Sequence, residues 1–499
     1  MLSDKTVGIS FDMNMVYSNC PPYDPSEAYP EFPELNVSRC DNPAFRLVRR
    51  VFINLGFDKL NLGSINWNPL IDIVKPGDTV VLKPNFVTHY NHGNKLYGIT
   101  DMACLITHGS VIRAVLEYVA KALKGNGKVI IGDCPIQGTD WNELLRVTNI
   151  ESVVESVVKR YPGLKIYIKD YRLGLAIIHS GQILARVSSS NSPSDYTEVD
   201  LGVQSELIPL INKGVEFGVT HYPRYRMRAA HTPTTNRYLI PNDILYSNVL
   251  INLPKMKNHQ KAGITCALKN LVGINGHKDY LPHFRFGSPK KGGDEYPDGG
   301  ILWDLMWYFA HKDWDLEAGL KKRFYNLLRR FLAGIMVGLL GYSRDFTTVG
   351  GGGWAGNDTL WRTILDINRA FFYFNRKNKY LDSKVDASIR YFSILDGIIA
   401  GEGESPLSSS PKPMGVIMAA KNPVALDCIA TALMGFDYKK LKQIERAFAE
   451  HPLPLAFFGP NEIEVISDDG IKTLSDIQSI GFKNPFRPSV GYRGWIELE

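Results

Sequence analysis

Short apolar, β-branched runs alternate along the chain with segments whose apolar positions repeat at helical spacing, the pattern of an α/β protein built on a mostly parallel sheet. TVVLKPN (79–85), KVIIGDCP (128–135) and NVLINLPK (248–255) are nearly continuous apolar runs that stop at proline, glycine or polar residues, as strands buried on both faces do. Between the first two, Val111, Val115 and Val119 recur every fourth residue beside Ile112, Leu116, Ala120 and Leu123. That spacing predicts a helix whose start Thr107 or Ser110 caps. From 165 to 240 the pattern alternates (KIYIKD, GQILARVS) and is interrupted by SSSNSPSD, which predicts antiparallel strands or an edge extension.

After residue 285 the composition shifts: FGSPKKGGDEYPDGG and TTVGGGGWAGND bracket a helical stretch. The expected organisation is an N-terminal α/β domain over 1–285, a helical and Gly-rich insertion over 286–350, and a C-terminal α/β domain over 351–499. A parallel or mixed sheet flanked by helices is expected, with a cleft between the two α/β domains. The last segment reads as a long helix (TLWRTILDINRAFFYFN), the strands RYFSILDGIIA and MGVIMAA, and the helix NPVALDCIATALM, opened by an Asn cap and Pro423.

The chain of 499 residues is 44% apolar, enough for two or three cores. Its 57 Lys and Arg exceed its 51 Asp and Glu by six, too small an excess to imply a nucleic-acid-coating protein. Anionic small molecules and a membrane surface remain as partners. Cys20, Cys40, Cys104, Cys134, Cys266 and Cys428 occur singly, with no C-x-x-C pair. This argues against a zinc ribbon, an iron–sulfur cluster and a disulfide framework, and points to a reducing cytoplasm. The opening MLSDKTVGISFD carries charge where a signal peptide needs a long apolar core, which again argues for a cytoplasmic protein.

In open α/β sheets ligands sit beyond the carboxyl ends of the strands. The three apolar strands end there in Lys83 and Asn85, in Asp133, and in Lys255, Lys257 and His259. A lysine held against buried strand ends loses hydration, so its pKa falls unless an anion compensates. A single such lysine as often snorkels to solvent, so convergence of several is the stronger sign. His108 stands in Thr107-His108-Gly109-Ser110 at a helix start, where free N–H groups favour an anion. His89, His92, His221 and His231 read as polar-loop residues that hold turns. Asp396, Glu402 and Glu404 in DGIIAGEGE read equally as a divalent-metal or ribose site and as a solvated acidic loop. Gly350 to Gly353, before Trp354, read as a lid or a linker. Over 316–341 the stripe Leu316, Leu320, Phe324, Leu327, Leu328, Phe331, Ile335 and Leu339 lies largely opposite Lys322, Arg323, Arg329 and Arg330. This predicts a basic amphipathic helix that packs on the core, on a second copy of the chain, or in a membrane interface.

The stretch K-M-K-x-H-x-x-x-G-x-T-x-x-L-K-N-L-x-G, residues 255–273, resembles the hallmark of the proteins grouped as domain of unknown function 362 (DUF362). The resemblance takes in VVLKPNF, the helix from Thr107, I-I-G-D-C-P, GGWAGNDTLWRTILDINRA, ILDGIIAGEGESP and NPVALDCIATALMGFD, and covers roughly residues 70–440. Many members carry added ferredoxin-type cysteine clusters; this chain has none, so the resemblance implies no iron–sulfur cluster here. His259, Ala262, Gly263 and Lys269 also fall at the spacing of the H-x-x-A-G-x-x-x-x-x-K segment of lactate racemase-like proteins. That second resemblance implies a divalent metal or nickel-pincer nucleotide attached at Lys269. His259 would be its acid/base, and His259, His277 and His283 the metal ligands. The chain departs from it: D-D-x-T-R-P is absent, Thr265-Cys266-Ala267 replaces S-G-G, and Leu268 stands where an arginine is usual.

The resulting expectation is an enzyme, racemase- or epimerase-like, acting on an anionic small molecule. Lys83, Asn85, Asp133, Lys255, Lys257 and Asn270 hold the ligand or cofactor, and His108, His259 and Lys269 do the chemistry. The rival expectation is a non-enzymatic, peripheral membrane-surface or assembly protein that uses the 316–341 helix to meet a membrane or a second copy.

Overall fold

The computed structural model describes the chain except residues 94–101, 180–181, 298–299, 317, 339–348, 387 and 499. One mixed sheet of eleven strands runs through it. In chain order these are β1 (Thr6–Phe11), β2 (Thr79–Pro84), β3 (Gly127–Asp133), β4 (Leu164–Asp170), β5 (Val249–Leu253), β6 (Lys255–His259), β7 (Gly263–Thr265), β8 (Arg390–Glu404), β9 (Ser408–Ala420), β10 (Glu464–Ser467) and β11 (Gly470–Lys472). The spatial order is β11-β10-β1-β9-β8-β5-β2-β3-β4, with β6 continuing beside β8 and β7 folded back on β6. Strands from before residue 285 and after residue 351 thus share one sheet. Pairing is parallel across β8-β5-β2-β3-β4 and antiparallel between β8, β9 and β1.

The continuous apolar runs are explained by burial on both faces. Val80, Leu82, Val249 and Ile251 enter a core with the helices α1 (Pro43–Asn54) and α2 (Gly109–Leu123). The alternate positions Val81 and Leu250 enter another core, with α5 (Leu360–Phe372) and Leu268 and Leu271 of the 255–273 motif. The helix α6 (Pro423–Leu433) is capped by Asn422, whose Oδ1 accepts the Val424 and Ala425 N–H groups.

Several expectations are corrected. For the alternating run at 164–170 the edge extension holds and the antiparallel alternative does not: it joins β3 in parallel as the edge strand β4, and an edge alternates because one side meets water. Antiparallel pairing begins with the hairpin Gly174–His179 and Gln182–Ser188 and continues with Tyr196–Asp200 against Arg237–Pro241. RYFSILDGIIA does not end at an acidic loop: β8 runs on to Glu404. There Glu402 accepts the Arg487 N–H and Glu404 the Val490 N–H, fastening the C-terminal segment. Gly350 to Gly353 are neither lid nor linker where described: Gly352 N–H donates to the Glu295 carbonyl and Trp354 Nε1–H to the Asp294 carbonyl. Cys20 and Cys40 form a disulfide, against the expectation from singly scattered cysteines, because folding brings their Cα atoms within 6.2 Å.

The insertion folds as a helical hairpin, α3 (Ile301–Asp315) and α4 (Leu320–Gly338), around Trp303, Met306, Trp307 and Met336. Leu339 and the end of the expected 316–341 helix lie outside the described residues. Among the described residues no helix is long and apolar enough to cross a membrane.

Candidate functional site

Beyond the carboxyl ends of β2, β3 and β5, and roofed by α4, lies a cavity of about 1090 Å³. Nine lysines and arginines line it against two aspartates. Each aspartate is already engaged, Asp133 with Lys83 at 2.7 Å and Asp313 with Lys322 at 3.0 Å.

Its floor is a polar network fixed by the strand ends. Lys83 Nζ donates to the Pro84 carbonyl (2.9 Å) and to Asn270 Oδ1 (3.3 Å), and burial holds its pKa below the ordinary lysine value against the pull of Asp133. Asp133 accepts the N–H groups of Phe86 and Cys134 with its two oxygens. Asn270 bridges Asn252, Asn85 and Lys83. Gly273 is required beside this pair, because a Cβ there would stand 2.6 Å from Lys83 Nζ and press on Asp133 Oδ1.

The motif's own turn of helix, Ala267–Asn270, is held from outside. Both oxygens of buried Asp427 on α6 accept backbone N–H groups, from Ala267 (2.6 Å) and Leu268 (2.9 Å). Burial raises the Asp427 carboxyl to about 7. The turn presents Lys269 to the cavity. Among the described residues Lys269 has no carboxylate or hydrogen-bond partner, and burial, aided by Lys278, Lys261 and Lys83, lowers its pKa to about 7. Lys257 likewise falls to about 7, through burial, while donating to Asn85 Oδ1 and the Leu105 carbonyl. Lys261 falls to about 8 and donates to Thr220 Oγ1. The Thr265 hydroxyl faces the same cavity, buried and without a hydrogen-bond partner among the described residues.

Two histidines oppose these amines in complementary tautomers. His259 Nδ1 accepts the Lys261 N–H at 3.0 Å, which leaves the ring proton of the neutral imidazole on Nε2. His283 Nδ1 stands 2.7 Å from the Leu281 carbonyl, so Nδ1 carries the proton and Nε2 keeps its lone pair. Burial keeps both rings neutral, their pKa values well below the usual histidine range, with Lys269 and Lys261 adding to the effect.

The cavity thus gathers Lys83, Asn85, Asp133, Lys257, His259, Lys269, Asn270 and His283, and leaves three expected residues out. Lys255 is turned away: a register irregularity between Lys255 and Lys257 along β8 breaks the alternation that would point both the same way. Its Nζ bonds Tyr17 Oη (2.6 Å) and Asp396 Oδ2 (3.1 Å) instead. His108, not Thr107 or Ser110, caps α2 through Nδ1, and the anion expected beside it is Asp396 itself, which accepts the His108 N–H at 3.0 Å. His108 stacks on Tyr17 in this closed cluster, so Asp396 serves no open metal or ribose site. His277 lies in a separate small pocket, 3.5 Å from Asp279. His259, His277 and His283 therefore do not form one ligand set, and among the described residues no three metal-ligating side chains converge. The donor set does not fit a resident metal at the motif.

The sequence reading gave Lys261 and Lys278 no part in the site, took His221 for a turn residue, and took the helix over 316–341 for a packing or membrane face and not a cavity wall. His221 lines the cavity, pushed down to about 4 by burial and by Arg329 and Lys261. Lys322, Asn326 and Arg329 also line it, at i, i+4 and i+7 along α4, so the basic side of that helix faces the cavity. His231 closes its own turn through Asn236 Oδ1, whereas His89 ties its loop to the distant Asp140 N–H.

The thylakoid-associated protein sll1697 of Synechocystis sp. is 22% identical over 366 residues, covering 73% of this chain and 66% of its own length, so the chain spans just under two thirds of that relative. A crystal structure of a Thermotoga maritima protein aligns over 73% of this chain and 53% of its own at 11% identity, with a TM-score of 0.30. The family model described as domain of unknown function (DUF362) matches residues 80–167 and 206–432. These segments contain the strand-end network, the Lys269 turn and its Asp427 anchor, and the chain belongs to the DUF362 family.

Proposed function

We propose that the cavity binds an anionic small molecule, a carboxylate or phosphate, and moves a proton on it. The observation that carries this reading is Lys269, an amine without a partner among the described residues in a cavity with no free carboxylate. A bound anion restores the ammonium forms of Lys269, Lys257 and Lys261, and the Thr265 hydroxyl and His259 Nε2–H are further donors. His283 Nε2 is then the base and His259 the acid. Proton abstraction beside a carboxylate, as a racemase or epimerase performs it, is the reaction class that this pairing of a cationic clamp with two neutral imidazoles supports.

The test is titration calorimetry with inorganic phosphate and with a small 2-hydroxy carboxylate, followed by NMR of solvent deuterium entering the carboxylate's α-position. Wild type binds and exchanges; Lys269→Gln loses binding, and His283→Gln binds without exchange. Absence of binding for both anions in wild type refutes the reading.

A second reading, residence at a membrane surface, is favoured by the outward apolar row of α4 and by the Synechocystis relative, which is named for its association with thylakoids.

A further inference from the structure

The basic amphipathic helix is turned the opposite way from a soluble helix that caps a core. Lys322, Asn326 and Arg329 face the cavity, whereas Leu320, Phe324, Leu327 and Phe331 are 83%, 57%, 66% and 64% exposed. Those four positions follow i, i+4, i+7 and i+11, so they form one stripe along the outside. Lys321, Arg323 and Arg330 are exposed beside it. The stripe reaches the cavity mouth, because Leu320 also lines the cavity together with Ile178 and Leu184 of the neighbouring hairpin, which are themselves 44% and 39% exposed.

The exposed part of the lining holds Ile178, Leu184 and Leu320 beside Arg323 and Arg330, its buried part holds Lys83 and Lys257, and the volume of about 1090 Å³ exceeds what an inorganic anion or a two- or three-carbon acid fills. We infer that the ligand is an amphiphile with an anionic head and an apolar chain, taken from an anionic lipid surface on which the outer face of α4 sits. The head lies against Lys257, Lys261 and Lys269, and the chain leaves past Ile178, Leu184 and Leu320 into the surface that receives Leu320, Phe324, Leu327 and Phe331. Charge complementarity selects the surface: Lys321, Arg323 and Arg330 flank the stripe at the level of lipid headgroups, where anionic lipid attracts them. This inference rests on the anion-binding reading of the cavity and names its ligand class.

The experiment uses the full chain. Co-sedimentation with phosphatidylcholine vesicles, with and without phosphatidylglycerol, reads the surface. Calorimetry with inorganic phosphate and with monomeric octyl phosphate reads the ligand. Wild type sediments with the anionic vesicles only, and binds octyl phosphate about tenfold or more tighter than phosphate, as burial of several methylenes requires. The double variant Leu327→Glu, Phe331→Glu loses vesicle binding and keeps octyl phosphate; Lys269→Gln does the reverse. Equal affinity for the two phosphates overturns the amphiphile while leaving an anion site standing, and no binding of either overturns the anion site itself. A wild-type dimer that the double variant converts to monomer, without vesicle binding, assigns the stripe to a second copy of the chain and overturns the membrane surface.

Discussion

Replacing Lys269 by methionine tests whether its amine is a cost that the fold bears for a ligand. A lysine that titrates at about 7 instead of near 10.4 has lost on the order of 4–5 kcal/mol of charge stabilisation, at 1.36 kcal/mol per pH unit. Water in the open cavity screens part of this, leaving about 2 kcal/mol. Below pH 7 the amine is charged in both states and the folded protein bears the whole cost. Between pH 7 and the unfolded value near 10.4 only the unfolded chain holds the proton, so wild-type stability rises with pH and the cost fades. Lys269→Met, similar in length and neutral, therefore melts higher than wild type at pH 6, by about 2 °C for a chain of this size, with the gap closing by about pH 10. The same variant loses phosphate binding. Thermal melts from pH 6 to 10, with phosphate titrations alongside, read both. A variant that melts below wild type at pH 6, or binds phosphate unchanged, refutes the reasoning, since an amine that only packs or pairs would destabilise when removed.

The affinity for sulfate, whose charge is fixed in this range, falls as pH rises through about 7–8, because Lys257 and Lys269 at about 7 and Lys261 at about 8 lose their protons; calorimetry at pH 8 in buffers of different ionisation enthalpy registers proton uptake on binding. Gly273→Ala drives a methyl into the Lys83–Asp133 pair and destabilises by about 2–4 kcal/mol in denaturant melts. Gly334→Ala, in α4 with nothing within 4 Å, is instead neutral or stabilising by about 0.5–1 kcal/mol, and a comparable loss at both positions would remove the argument from Gly273.

Strand placement was legible in the sequence because burial on both faces writes itself locally, as continuous apolar runs at 79–84, 127–133 and 249–253 whose alternate residues feed two cores. The strand ends named Lys83, Asn85, Asp133, Lys257 and His259 for the same local reason, and the 255–273 motif named Lys269 and Asn270. Long-range pairing decided the rest. A register irregularity on β8 separates Lys255 from Lys257, two residues apart, and gives the first to Asp396 and Tyr17. Asp427, over 150 residues downstream, fixes the backbone that carries Lys269. Cys20 and Cys40 meet only through the fold. The sequence alone determined that α4 has a basic side and an apolar side, since helical period is a property of neighbours three and four apart. Only the tertiary structure decided which side faces in, because Lys322 pairs with Asp313 of α3 on the cavity side and the apolar stripe is left outside.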